Sequence, residues 1–216
     1  MTTARSSDAW PPEDAPADGR PEPRWARAVT EILAPAHLVI ALPPVIGWQA
    51  TWPDFAGVWW GLAASLFCGV VPYGVILAGV RAGRITDRHV VRRDQRVVPL
   101  ALAFGSVVAG VAALIVFGAP PPVVVLLLGM LGALVVIVPI TVFWKISLHA
   151  AVAAGVATAL TVTFGPYAGA VGWPLVPLVG AARVALRVHT VGQVIAGALV
   201  GCLVPLGVYL LAGVAG

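Results

Sequence analysis

The side chains able to do chemistry in this 216-residue sequence stand at junctions between long apolar runs. Arg183 lies within the run Val179-Gly180-Ala181-Ala182-Arg183-Val184-Ala185-Leu186; His189 follows, then Gln193. Lys145, Ser147 and His149 alternate at a second junction, and Arg96 closes a third. An arginine inside an apolar run is expensive unless it meets an anion or a water-filled cavity, so a functional role is its default reading. Ser147 and His149 open an apolar block, where free helix N–H groups and the positive end of the dipole favour a phosphate oxygen. His189 and Gln193 are four residues apart, a spacing that lets the amide oxygen accept a ring N–H and fix the neutral tautomer. Taken singly, each residue also has a structural reading: Ser147 as an N-cap, the histidines as interfacial side chains, Gln193 as a link between helices. Arg96, His149, Arg183 and His189, meeting at one face from three junctions, favour the functional reading. His37 joins no such group and reads as structural.

The elements that must hold these residues are membrane helices. The chain is 60% apolar and 10% charged, with a mean hydropathy of +0.97; soluble chains are about a quarter charged. Its apolar runs have the length of about 20 residues needed to cross a bilayer, and they lack the short alternation of a membrane barrel. Water-soluble enzymes are excluded. Residues 1–27 carry five prolines among charged and small polar residues and read as a disordered tail. Residues 28–216 form one helical domain with seven blocks, at 28–49, 55–82, 97–118, 121–143, 147–165, 168–187 and 189–214. Glu31, Pro35, Pro43 and Pro44 interrupt the first block, so the all-α, polytopic bundle has six to seven spans.

Cys68 and Cys202 sit inside apolar runs and read as small buried hydrophobes rather than a disulfide or zinc site. Outside the tail, Glu31, Asp87 and Asp94 are the carboxylates near the basic face, too scattered for a metal cluster. No nucleotide-binding glycine loop is present. The net charge of +4 finds no soluble face for nucleic acid and fits lipid head groups or phosphorylated substrates.

All thirteen Lys and Arg fall in the tail or at block ends on one side: Arg5, Arg20, Arg24 and Arg27, then Arg81, Arg84, Arg88, Arg92, Arg93 and Arg96, then Lys145, Arg183 and Arg187. Two spans separate successive groups, so seven blocks bring every one to a single membrane face. The positive-inside rule then predicts a multi-pass protein of the cell inner (plasma) membrane whose basic face is cytoplasmic.

These residues resemble the three-part signature of the type 2 phosphatidic acid phosphatase family. Arg183-Val-Ala-Leu-Arg-Val-His189-Thr-Val-Gly-Gln193 is similar to the family's Ser-Arg, five residues, His, three residues, Asp, with Ala182 in the place of Ser and Gln193 in that of Asp. Lys145-Ile-Ser147-Leu-His149 is similar to Pro-Ser-Gly-His, with Ile146 and Leu148 as departures. In the loosest part, Lys, six residues, Arg-Pro, Arg96 stands for Arg while His89 holds the Lys position and Val97 the Pro.

The resemblance implies hydrolysis of a lipid or isoprenoid phosphate through a phosphohistidine, without metal or other cofactor. His189 would be the nucleophile, His149 the acid for the leaving oxygen and Gln193 the group that orients His189. Arg96, Ser147 and Arg183, with His89 and Lys145, would hold phosphoryl oxygens. The expected partners are a lipid or polyprenyl phosphate and the surrounding membrane lipids. A catalytically weak or inactive relative that binds or translocates phosphorylated lipids is the second expectation. A transporter is the third, although its polar groups would sit at mid-membrane in repeated halves.

Overall fold

The computed structural model describes residues 22–85 and 97–214, and all regular elements among them are helical. They are α1 (Arg24–Ile32), α2 (Pro35–Ala50), α3 (Ala56–Ser65), a π turn (Leu66–Val70), α4 (Val71–Arg81), α5 (Val97–Val116), α6 (Pro121–Phe143), α7 (Leu148–Phe164), α8 (Pro166–Gly172), α9 (Leu175–Ala185) and α10 (Val191–Leu211). Among the described residues, six stretches are long and apolar enough to cross a membrane: 24–50, 56–81, 98–116, 121–143, 166–185 and 191–211. The protein is thus an all-α, multi-pass membrane protein. Apolar α7 has 17 residues, about 25 Å of helix against a hydrocarbon core of ~30 Å. It starts at the cavity that also receives the end of α9, so α7 leads away from that end and α8–α9 returns.

Two departures from the sequence reading concern the first block. The tail does not run to residue 27, because α1 begins at Arg24 with Pro23 as its cap. Ala26 and Thr30, one turn apart, are buried, and Ala26 packs with Ala182 and Leu186 of the α9 end. Arg24, Arg27 and Glu31 are interspersed with exposed Trp25 around this face, which is how the helix passes for tail. The interruption expected in this block is a break at Leu33–Ala34, just before Pro35, where the proline ring disfavours helical geometry in the preceding residue. Pro43 and Pro44 lie inside α2 without ending it.

Ser65 Oγ, at the end of α3, donates at 2.7 Å to the Ile40 carbonyl of α2, for which Pro44, four residues on, has no N–H. The second span also carries an irregularity, and Ser106 Oγ from α5 donates to the Phe67 carbonyl inside its π turn at 2.6 Å. Such turns are sustained in a membrane when side chains from adjacent helices satisfy the displaced backbone.

The helix pair that builds the site is α7 against α10. A Cβ on Gly197 would stand 2.4 Å from the Ser147 carbonyl oxygen, and one on Gly201 would stand 1.9 Å from that of Ala151. Neither position admits a side chain at this helix separation. The small-residue spacing that reads as generic packing in the sequence is therefore what draws the starts of the two helices together.

Candidate functional site

At the basic end of the bundle a cavity of about 190 Å³ is lined by His149, Arg183 and His189, together with Glu31, His37, Tyr73 and Pro99. Three predicted site residues from two junctions thus share one space. Each is nearly withdrawn from solvent: His149 is 6% exposed, Arg183 6% and His189 7%.

Local structure explains how Arg183 and His189 come side by side. Helix α9 ends at Ala185, with Leu186 as cap. Arg187 then takes a left-handed conformation, φ 59°, which costs a residue with a Cβ about 1–2 kcal/mol. This turn brings the His189 N–H onto the Arg183 carbonyl at 3.3 Å. Backbone strain held beside a candidate site is where such strain is expected to persist.

His189 precedes α10 rather than lying on its face, so its link to Gln193 is not one helical turn. Thr190 caps α10, and Thr190 and Gln193 form a reciprocal capping box. Gln193 N–H donates to Thr190 Oγ1 at 3.3 Å; Thr190 N–H donates to Gln193 Oε1 at 3.1 Å. His189 Nδ1 lies 3.1 Å from that same Oε1. Because a backbone N–H already fixes the amide with its oxygen inward, the ring offers Nδ1–H to it; in the neutral imidazole the lone pair is then on Nε2.

Ser147 is fully buried and caps α7, its Oγ accepting from Ala150 N–H at 3.4 Å. Its own N–H donates to the Gln193 carbonyl at 3.2 Å. Ser147 therefore ties the start of α7 to the first turn of α10 and stands behind the cavity wall rather than in it. Lys145, half-buried, is likewise outside the lining of this cavity. Arg96 and His89 lie outside the described residues.

Glu31 and His37 are cavity residues that the sequence reading missed. His37, expected to be structural, is exposed, with Nδ1 3.3 Å from the Ile32 carbonyl. The available signal was the Pro35 break, which makes a fourth junction at the basic end with Glu31 and His37 on either side of it. Among the described residues, no three His, Cys, Asp or Glu side chains gather as they would around a metal ion.

The fold and this geometry define a class: a multi-pass helical membrane protein with a buried histidine–arginine cavity at one end of the bundle. No protein-family model, curated protein or solved structure matches the chain.

Proposed function

We propose that the protein is an integral membrane phosphatase acting on a lipid or isoprenoid phosphate, with His189 as nucleophile. The observation that carries this reading is the hydrogen bond from His189 Nδ1–H to Gln193 Oε1, which in the neutral ring directs the lone pair to Nε2, in a residue that lines one cavity with Arg183. In the first step Nε2 attacks phosphorus, the bond from phosphorus to the lipid oxygen breaks, and His149 gives that oxygen its proton. In the second, water attacks the phosphohistidine as His149 takes a proton back, releasing phosphate and neutral His189. Guanidinium groups suit the charge spread over the phosphoryl oxygens, and Arg183 supplies one at the cavity wall. By their places in the motif, Arg96 is assigned the second, and His89 and Lys145 further contacts to the phosphoryl oxygens. Ser147 acts through its cap, holding His149 at the start of α7.

Binding without turnover is the second reading, favoured by the amide at Gln193. A carboxylate would stabilise positive charge on the ring; an amide orients the ring and no more. The deciding experiment is phosphate release from a panel of lipid and polyprenyl phosphates by purified protein in detergent, with and without EDTA. Release from at least one, insensitive to EDTA, is expected. No release across the panel by folded protein that still binds the same lipids in vesicles would leave the second reading standing.

A further inference from the structure

A second cavity, of about 150 Å³, adjoins the first, and Ala103 and Leu148 line both. Its wall on α7 runs from Leu148 to Ala159, a rise of roughly 16 Å at 1.5 Å per residue. Half of a ~30 Å hydrocarbon core is about 15 Å, so the space is a slot about one leaflet long that begins at the site. On α7 it is cut by Ala151, Gly155 and Ala159, four residues apart and hence on one face of the helix. Among the described residues, no charged one lines it. At the end farthest from the site stands Tyr209, 1% exposed, with a hydroxyl that meets no hydrogen-bond partner among the described residues.

Protein interiors are close-packed, with few voids larger than a water molecule. This slot is partly open rather than sealed, and its apolar lining favours an apolar guest. We propose that this slot holds a single straight hydrocarbon chain of the phosphorylated lipid whose head group occupies the His149–Arg183–His189 cavity, and that Ala159 and Tyr209 limit its length. The inference rests on the reading of the first cavity as a phosphate site, and it adds that the chain lies inside the bundle rather than in the surrounding bilayer. Chain length, not head group alone, then selects the substrate.

The test reads position and needs no turnover. Dodecyl phosphate carrying a diazirine at its chain end is irradiated with the full-length protein in detergent, and labelled residues are mapped by mass spectrometry. Labels on Ala159, Pro205 and Tyr209, removed by excess unlabelled dodecyl phosphate, are expected. Labels confined to the outward residues Leu199, Leu203 and Leu210 would overturn the slot. In Gly155→Leu, a branched side chain fills the middle of the slot, and labelling at Tyr209 should fall to background; undiminished labelling counts against the proposal. Should that variant fail to fold, the wild-type map decides alone. Slot labelling without phosphate release would reject the phosphatase and keep the slot; release with outward labelling would do the reverse.

Discussion

His189 Nδ1 and Gln193 Oε1 are 3.1 Å apart, and the oxygen that receives the ring proton also receives the Thr190 N–H. One side chain thus closes a helix start and sets a tautomer. An aspartate could do both and add a charge; the glutamine does both without one. The site is therefore built for orientation first, with charge supplied from the cationic side of the cavity.

Gln193→Asp should keep the capping box and add a charge beside the ring, so the chemical rate should rise or stay unchanged. Gln193→Leu should lose the Gln193 half of the capping box while Thr190 Oγ1 still accepts the backbone N–H of residue 193, at a cost of about 1 kcal/mol for the lost hydrogen bond, and free the ring to take the wrong tautomer. A comparable loss of orientation in a protease triad costs on the order of ten-thousand-fold in turnover. Phosphate release and melting temperature, measured together, separate the two effects. If Gln193→Asp lost activity while folded and binding lipid, the assigned role of Gln193 would be wrong.

His189→Ala should release no phosphate while its helical content and detergent elution profile stay those of the wild type. Wild-type protein quenched in mid-turnover with radiolabelled substrate should carry an acid-labile label on His189. EDTA should change neither result, because the proposed charge stabilisation comes from Arg183 and Arg96. Activity retained in His189→Ala, or lost on adding EDTA to the wild type, would sink the mechanism.

Gly197→Ala and Gly207→Ala make a matched pair on α10. The first places a Cβ 2.4 Å from the Ser147 carbonyl oxygen, whereas the second meets nothing within 4 Å. Overpacking of this kind costs about 1–3 kcal/mol. Gly197→Ala should therefore lower the melting temperature and depress phosphate release by moving His149 away from His189. Gly207→Ala should do neither. Equal behaviour of the two variants would show that the α7–α10 approach does not set the site.

Tyr209→Phe removes a buried hydroxyl that has no partner among the described residues and keeps the ring that fills the core beside Leu42, Ile46 and Leu126. An unsatisfied buried polar group costs about 1–3 kcal/mol. The melting temperature should be equal to or above that of the wild type. A drop of several degrees would mean that the hydroxyl has a partner in the membrane-embedded protein.

The seven helical blocks were legible because each needs an apolar run of a set length, and length survives without knowledge of neighbours. Arg183, His149 and His189 were legible for a related reason: charge or imidazole at the end of such a run is costly enough to need an explanation. Glu31 and His37 were not, since they flank a proline break within one block and reach the cavity through the packing of α1 and α2 against helices far away in sequence. The function of the glycines was hidden as well. Gly197 and Gly201 look like any other pair among 24 glycines until the carbonyl oxygens of Ser147 and Ala151 stand against them. The cap made by Ser147 was legible as one of two readings, and only the position of Gln193 beside it separates a wall residue from a supporting one.

The distribution of charge predicts an orientation for the site. Among the described residues, Arg24, Arg27, Arg81, Arg84, Lys145, Arg183 and Arg187 all lie at or just beyond helix ends on the cavity side. The connections at the other end, 51–55, 117–120 and residue 165, carry no Lys or Arg. Setting aside Arg183 as a phosphate ligand still leaves six of these seven described basic residues on the cavity side. Asymmetry over short loops is what directs insertion, so the cavity should face the cytoplasm and the C-terminal end of α10 the opposite side. Its substrates would then be lipid phosphates presented by the inner leaflet. The measurement uses single cysteines, Arg84→Cys and Tyr167→Cys, on a background with Cys68 and Cys202 replaced. Both positions are exposed, Tyr167 at 89%, so an impermeant thiol reagent added to intact cells reads their side directly. Labelling of Tyr167→Cys alone is expected, with Arg84→Cys reacting after the cells are opened. Labelling of Arg84→Cys in intact cells would turn the protein over and place its substrates on the outer leaflet.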